Sequence, residues 1–343
     1  MNANPAHDNA ISAVAKHPVA WQSELGRGIR DPAELCRLLA LPEQTFSGVD
    51  IESRFATRVP RGFVARMRSG DPNDPLLRQV LPLIRETERV IGFVSDPVGD
   101  MPALKRPGLI HKYRGRALVM MTGACAIHCR YCFRRHFPYQ DETPHRDDWR
   151  DLLDLIRGDA SIHEIILSGG DPLMVPDPRL STLVEELLEI NHVNRIRIHS
   201  RLPIVLPQRI DRDFLDWFAT LGRQAVIVVH CNHPNEIDNA VEEALLRLQD
   251  TGSTILNQAV LLRGVNDSAE VLHALSERLF SIGVLPYYLH LLDRVHGAAH
   301  FEVPRDEARA LYRDLHARLP GYLLPKLVEE IAGAAGKTVI PPL

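Results

Sequence analysis

The stretch "ACAIHCRYCFRRHF", residues 124–137, places three cysteines within eight positions: Cys125, Cys129 and Cys132. A closed zinc site has four ligands, usually supplied as two pairs from separate turns, and the chain contains no second C-x2-C. Three thiolates spaced C-x3-C-x2-C instead favour a [4Fe–4S] cluster in which one iron has no protein ligand. A Cys3His zinc site completed by His128 or His136 is the alternative.

From residue 117 onward, short apolar runs alternate with amphipathic stretches, and the first run leads into the cysteines. The runs are "ALVMMT", "EIILSGG", "RIRIHS", "AVIVVHC", "TILNQAVLL" and "VLPYYLH". Apolar runs separated by helical stretches are typical of βα units on a parallel sheet. Six such units predict an α/β fold, either a partial (β/α)6 TIM-like barrel or a doubly wound open sheet.

Polar residues follow each predicted strand. The cysteines follow the first strand and "SGGD" (168–171) follows the second, while "RIHSR", "VVHCNHPNE", "NQAVLLRGVND" and "YLHLLDRVHG" close the other four. The carboxyl ends of parallel strands meet at one edge of the sheet, where ligands bind in such folds. The sequence therefore predicts one site that is assembled from several loops.

The first hundred residues have a different pattern. "RDPAELCRLLALP" predicts a helix that begins after Asp31, with proline in its first turn. "DPLLRQVLPLIRETERVI" predicts a second helix that is bent at Pro82, and "FVSDPVGDMPALKRPGLIHKYRG" predicts a linker rich in proline and glycine. We therefore predict a mainly helical extension and linker over 1–105, a barrel core over 106–320 and a short tail over 321–343 that closes the site.

Composition excludes several classes of function. The 343 residues carry a formal net charge of −4 and no long Lys/Arg run, which argues against non-specific nucleic-acid binding. No apolar run is long enough to span a bilayer, and residues 1–18 do not have the pattern of a secretory signal. Five cysteines, three of them clustered, fit metal binding in a reducing cytosol better than a disulfide framework. We therefore expect a cytoplasmic protein without a membrane partner.

The chain ends in "EIAGAAGKTVIPPL", in which small residues surround Lys337. A phosphate-binding P-loop needs glycine five positions before Gly336, where Ile331 stands, and too few residues follow for the helix that would hold the phosphate. A lysine amine can carry pyridoxal phosphate (PLP) as a Schiff base, and closely packed small residues suit such a site. A flexible terminus is the alternative.

The cysteine spacing, with Tyr131 before the last cysteine, resembles the cluster motif of the radical S-adenosylmethionine (SAM) superfamily. "SGGDPL" resembles the glycine-containing SAM contact of that superfamily, which implies SAM-binding roles for Ser168, Gly169, Gly170 and Asp171. The resemblance implies a partial barrel of the radical SAM type, with a [4Fe–4S] cluster on the three cysteines and SAM on its open iron. It also implies a reductant protein of the flavodoxin or ferredoxin type as a partner.

Over roughly residues 90–340 the chain resembles the lysine 2,3-aminomutases, radical SAM enzymes that also use PLP. The family's glycine-rich PLP-lysine segment is matched by "GAAGK" with Lys337. "CRYCFRRHF", "HCNHPNEI", "NQAVLLRGVND" and "DRVHGAAHF" are similar to other family segments. The resemblance implies an isomerase that converts L-α-lysine to (R)-β-lysine through a 5′-deoxyadenosyl radical and a PLP aldimine.

Residue roles follow from the same resemblance. Arg134 is implied to bind the substrate carboxylate through its bidentate fork. Asp293 and Glu330 are implied to bind the side-chain ammonium of the substrate. The implied cofactor contacts are His230 and Gln258 for SAM, and Tyr113 and Arg116 for PLP.

Three features depart from the family pattern. Glu330 stands where the lysine mutases have aspartate, and Lys112 stands where arginine is frequent, which exchanges a planar fork for a point charge. The chain also ends soon after Lys337, without the C-terminal extension of the free-lysine enzymes. This short form resembles the branch that supplies (R)-β-lysine for modification of elongation factor P, and it favours a homodimer over a larger assembly. Glutamate or a protein-bound lysine as substrate, or a non-catalytic iron–sulfur or zinc protein, are the alternatives.

Overall fold

One sheet, with its strands hydrogen-bonded in sequence order, forms the centre of the computed structural model, which describes residues 20–142 and 149–342. Predictions that concern residues 1–19, 143–148 and 343 lie outside the described residues. The strands are β1 (Leu104–Arg106), β2 (Leu109–Tyr113), β3 (Arg116–Thr122), β4 (Glu164–Gly169), β5 (Arg195–Ser200), β6 (Ala225–His230), β7 (Thr254–Val260), β8 (Leu285–His290), β9 (Lys326–Glu329) and β10 (Thr338–Val339).

The six predicted strands are β3 to β8, and they pair in parallel in the predicted order. A doubly wound sheet reverses its strand order at a switch point, whereas this order is sequential and the sheet stays open between β1 and β10. The partial barrel is therefore confirmed. The strand face that packs on the helices is apolar, as in β6, where Ile227 and Val229 are buried. The opposite face carries polar residues such as Arg197 and Gln258, which line the interior of the barrel.

Amphipathic helices alternate with these strands. In one of them, Val241, Ala244, Leu245 and Leu248 are buried at helical spacing, and the side chain of Asp238 caps its first turn. The helices are α1 (Ala20–Gly26), α2 (Pro32–Leu38), α3 (Glu43–Phe46), α4 (Arg61–Val64), α5 (Pro75–Arg78), α6 (Tyr139–Glu142), α7 (Arg150–Gly158), α8 (Asp177–Leu188), α9 (Leu202–Val205), α10 (Arg212–Phe218), α11 (Asn239–Asp250), α12 (Ala269–Ser281) and α13 (Arg305–Arg318). Each described helix is too short or too polar to cross a membrane.

Both edges of the sheet differ from the prediction. The segment predicted as a linker contains β1 and β2, which pair antiparallel with each other, and β2 also pairs antiparallel with β3. The proline and glycine residues that flank these strands are typical of a linker and led to that prediction. The strands are nevertheless packed, because Leu109 and Ile110 are buried. At the other edge β9 continues the parallel order, and β10 returns antiparallel along it.

From residue 20 onward, the N-terminal extension consists mainly of short helices and turns. The helix predicted after Asp31 is α2, and the Asp31 carboxylate accepts a hydrogen bond from the amide of Ala33. The long helix predicted around Pro82 is wrong: α5 ends at Arg78, and the next helical turn is a 3₁₀ segment at Ile84–Thr87. Proline cannot donate a backbone hydrogen bond and disfavours helical geometry in the residue before it, so the apolar side chains pack from turns instead.

Candidate active site

One cavity of about 850 Å³ runs through the inside of the barrel. It reaches the carboxyl ends of the strands, as expected, but it also extends to residues at their amino ends, such as Arg116 and Thr254. All the residues predicted for the site line this cavity: Cys125, Cys129, Cys132, Tyr113, Arg116, Arg134, Ser168, Gly169, Gly170, Asp171, His230, Gln258, Asp293, Glu330 and Lys337. The tertiary structure therefore brings together segments from β2 to the C-terminal tail.

The three cysteines lie on the loop after β3. Burial and the neighbouring Cys132 and Cys129 sulfurs raise the pKa of Cys125, and burial with Cys129 raises the pKa of Cys132 to about 11. Sulfurs this close need a cation to be held together as thiolates. No three His, Cys, Asp or Glu side chains in the described parts of the chain converge as ligands of a single metal ion. A [4Fe–4S] cluster binds its thiolates through different irons, so it does not require such convergence.

The glycine pair of "SGGD" packs against the cysteine loop. Gly169 has a φ of +115°, and a Cβ on Gly170 would lie 2.4 Å from the carbonyl oxygen of Ala124. The Gly170 amide donates to the Thr122 carbonyl at 2.6 Å, and the Asp171 amide donates to Ala124 at 2.8 Å. The glycine pair therefore allows the backbone of residues 169–171 to approach that of residues 122–124, and this contact positions the start of the cysteine loop.

Asp171 has a structural role besides its predicted SAM contact. One carboxylate oxygen accepts from Ser200 Oγ at 2.7 Å and from the Leu173 amide, and the other accepts from the amides of Arg201 and Leu202. Burial raises the pKa of this carboxyl to about 6, against the effect of those hydrogen bonds. The side chain therefore ties the loop after β4 to the loop after β5.

Arg134 follows the last cysteine and is held by an acidic residue that the sequence analysis did not select. Its Nε donates to Asp100 Oδ2 at 2.6 Å, and its Nη1 donates to Ser168 Oγ at 3.3 Å. Asp100 also pairs with Lys112, one of the departures from the family pattern. Although burial opposes it, the guanidinium and the ammonium hold the pKa of Asp100 below its usual value. Arg134 is thus fixed in one orientation at the cavity wall.

Lys337 lies between Glu330 and β10, and Glu330 connects it to β2 across the open side of the barrel. Its Nζ donates to Glu330 Oε2 at 2.7 Å, and the other Glu330 oxygen accepts from the hydroxyl of Tyr113 on β2. Despite partial burial, Lys337 and Tyr113 lower the pKa of Glu330, so this carboxyl is ionised. The Arg116 guanidinium lies 4.6 Å from the centre of the Tyr113 ring. The two ends of the sheet are therefore joined at the predicted PLP lysine.

Asp293 lies near this lysine on the loop after β8. Burial raises the pKa of its carboxyl to about 7, with Lys337 lowering it and Glu330 raising it. The group is therefore close to half ionised at neutral pH. A cationic ligand beside it would favour the charged form.

The carboxyl ends of β5, β6 and β8 carry the histidines His199, His230 and His290, of which His290 is buried and the other two are partly exposed. His230 Nε2 lies 3.2 Å from the Tyr131 hydroxyl, and burial lowers the pKa of His230 to about 3, so its imidazole is neutral. His199 and His290 line the cavity with Nε2 atoms that are buried and have no hydrogen-bond partner within the described residues. Unsatisfied buried nitrogens at a cavity wall fit a site that is completed by a polar ligand. No role was predicted for these two histidines from the sequence. Their positions near the ends of the apolar runs "RIHS" and "YLH" are the signal by which they could have been found.

Comparison with known proteins agrees with this arrangement. The family model described as the Radical SAM superfamily matches residues 119–275, which contain the cysteine loop and "SGGD". The fold and the site together therefore define a radical SAM protein.

Curated relatives of the chain indicate which family of radical SAM proteins it belongs to. An L-lysine 2,3-aminomutase from Escherichia coli (strain K12) is 47% identical over 93% of this chain and 93% of its own length. One from Haemophilus influenzae is 46% identical over 95% of this chain and 97% of its own, and one from Clostridium subterminale is 33% identical over 94% and 78%. This chain belongs to the lysine 2,3-aminomutase family.

Proposed function

We propose that this protein is an L-lysine 2,3-aminomutase that converts L-α-lysine to (R)-β-lysine. The observation that carries the proposal is that Lys337, Asp293 and the three cysteines line one cavity. Identities of 42–47% to three bacterial L-lysine 2,3-aminomutases, over 93–95% of this chain, support the same activity.

The residues present fit the cofactors of the family. The three cysteine thiolates would hold a [4Fe–4S] cluster, and SAM would bind at its open iron near Ser168 and His230. PLP would be held by Lys337, with Tyr113 and Arg116 beside it. Together these cofactors supply radical chemistry at an unactivated C–H bond and an electron-accepting π-system for migration of an amino group. No side-chain base of ordinary strength removes such a hydrogen.

The chain's own groups orient the substrate. Arg134 is held through its Nε by Asp100 and through its Nη1 by Ser168, and its other N–H groups would bind the substrate carboxylate. Asp293 and Glu330 provide negative charge for a side-chain ammonium, and Glu330 also holds Lys337 Nζ in place. A glutamate substrate would bring a third carboxylate against these two, which disfavours it by like-charge repulsion.

Lys337→Ala provides a direct test of this function. The protein is purified without oxygen and incubated with L-lysine, SAM, PLP and dithionite, and the amino acids are separated on a chiral column. We expect (R)-β-lysine from the wild type and no detectable product from Lys337→Ala, with iron content unchanged. Lys326→Ala, which removes an exposed lysine on β9, is the matched control and should keep full activity. Loss of iron in Lys337→Ala, or product from glutamate but not from lysine, would contradict the proposal.

We further propose that the product modifies elongation factor P and that a flavodoxin or ferredoxin type of protein supplies electrons. The resemblance to the family branch that supplies this modification supports the proposal, as do the higher identities to the Escherichia coli and Haemophilus influenzae relatives, 47% and 46%, than to the Clostridium protein, 33%. Deletion of the gene should leave elongation factor P without its β-lysyl mass in intact-protein mass spectrometry. A homodimer in the cytoplasm stays a prediction.

A further inference from the structure

Arg201 follows β5 and makes a contact that none of the roles above requires. Its Nη1 lies 2.6 Å from the sulfur of Cys129, one of the three predicted cluster ligands. Its Nη2 donates to Gln79 Oε1 at 2.6 Å and lies 3.2 Å from Glu236 Oε2. The whole residue is buried, with 7% of its surface exposed. A guanidinium in this place adds a fixed positive charge next to the sulfur.

We propose that Arg201 is a positioning residue for the iron–sulfur cluster: it donates a charge-assisted hydrogen bond to the Cys129 thiolate and raises the reduction potential of the cluster. The reduced cluster carries one more negative charge than the oxidised cluster. A nearby cation therefore stabilises the reduced form more, and hydrogen bonds to the sulfurs act in the same direction. Burial strengthens both effects, because little water screens the charge.

The arginine cannot turn away from the sulfur. The Gln79 side-chain oxygen accepts the hydrogen bond from Arg201 Nη2. The same side chain is fixed in place, because its Nε2 donates to Glu236 Oε1 at 2.9 Å and to the Pro75 carbonyl at 3.1 Å. The Arg201 guanidinium carbon lies 5.5 Å from the ring centre of Phe63 and 5.7 Å from that of Tyr131. Gln79 and Phe63 belong to the N-terminal extension, so this part of the chain holds the group that contacts the cluster ligand.

The neighbouring arginines of the cysteine loop are neutralised differently. Arg130 and Arg135 both pair with Glu86, at 2.6 and 2.8 Å. Glu236 lies on the side of Arg201 remote from the sulfur contact, since it meets Nη2 while Cys129 meets Nη1. The N–H that faces Cys129 is therefore the positive end of a shared ion pair.

The test is a redox titration of the cluster without SAM, followed by electron paramagnetic resonance. Arg201→Gln removes the charge, and Arg212→Gln removes one from a side chain that is 90% exposed, as the matched control. With iron and sulfide contents equal, we expect Arg201→Gln to be harder to reduce, with the reduced-to-oxidised ratio at a given potential at least about tenfold lower, a shift of 59 mV for one electron. The control should match the wild type. A potential for Arg201→Gln equal to that of the control overturns the proposal.

A second measurement needs no variant and decides the case in which Arg201→Gln does not assemble its cluster. Wild-type protein is labelled with guanidino-¹⁵N arginine, reduced, and examined by pulsed electron paramagnetic resonance. We expect one strongly coupled ¹⁵N from the nitrogen that contacts Cys129, beyond any weaker coupling from the arginines of the cysteine loop, and its absence overturns the proposal. Both measurements report on the cluster and not on turnover. Their outcome is therefore independent of whether lysine is the substrate, which chiral product analysis tests separately.

Discussion

Single side chains decide how charge is distributed in this site. Glu330 reaches both Lys337 and the Tyr113 hydroxyl. Its side chain therefore joins the tail to β2, which lies near the other end of the open sheet. Asp293 has no such close partner among the described residues and keeps a raised pKa of about 7. The two carboxyls consequently differ in protonation at neutral pH, although both face the same cavity.

The pKa of Asp293 predicts a pH dependence. A carboxyl whose pKa is raised to about 7 is protonated below that pH and cannot pair with the substrate ammonium. We therefore expect kcat/KM for lysine to fall about tenfold for each pH unit below 7, because kcat/KM reports on the free enzyme. Asp293→Asn should raise the KM and remove this limb of the profile. A wild-type profile that is flat from about pH 6 to 8 would show that Asp293 is not the ammonium partner.

At the scale of elements, the site depends on how neighbouring loops touch. The loops after β3 and β4 meet backbone to backbone at the glycine pair, and Asp171 joins the loop after β4 to that after β5. Each loop thus positions the next. The cysteines are placed by two neighbouring loops as well as by their own sequence.

Gly170→Ala tests this contact. A Cβ there would meet the Ala124 carbonyl at 2.4 Å, and relieving such an overlap costs about 1–3 kcal/mol and displaces the cysteine loop. We expect iron and sulfide per chain to fall in protein purified without oxygen. Gly158→Ala, whose added Cβ would meet no atom within 4 Å, should keep the wild-type content. Full cluster occupancy in Gly170→Ala would mean that the close approach does not position the ligands.

At the scale of the whole molecule, the N-terminal extension packs against the cysteine loop. Glu86 accepts hydrogen bonds from Arg130 and Arg135, and despite burial these two arginines hold the pKa of Glu86 below its usual value. The Arg130 amide also donates to the Gln79 carbonyl at 2.8 Å. The extension and the barrel are therefore connected through the segment that carries the cysteines.

Glu86→Gln should be strongly destabilising, because it leaves two buried guanidinium groups without a counter-charge. We expect the free energy of unfolding to fall by about 3 kcal/mol or more in urea titrations. Because the pKa of Glu86 is lowered on folding, the wild type should lose the same stabilisation as the pH falls through that pKa, and the variant should not. Glu24→Gln removes an exposed pair with Arg27 and should cost less than about 1 kcal/mol. Equal effects of the two substitutions would contradict the role assigned to Glu86.

Local sequence predicted much of the fold and the chemistry of the site. Apolar runs and helical spacing predicted β3 to β8, because the strand face and the helix face that pack on each other need regularly spaced apolar side chains. The cysteine spacing predicted the cluster ligands, and the small residues around Lys337 predicted an amine site. The edge strands β1, β9 and β10 were missed since they have only three, four and two residues, too few for a recognisable period.

The amino-acid sequence by itself determined the central strands β3 to β8, the charges and the candidate cluster ligands, since these depend on residue type and short spacing. The tertiary structure alone decided which groups meet: Arg201 with Cys129, 72 residues apart, Asp100 with Arg134, 34 apart, and Tyr113 with Glu330, 217 apart. Such pairs have no periodic signature, because any acidic or basic residue at a strand end could reach the cavity. The path of the chain around the barrel selects the partners, and their pKa values and orientations follow from that selection.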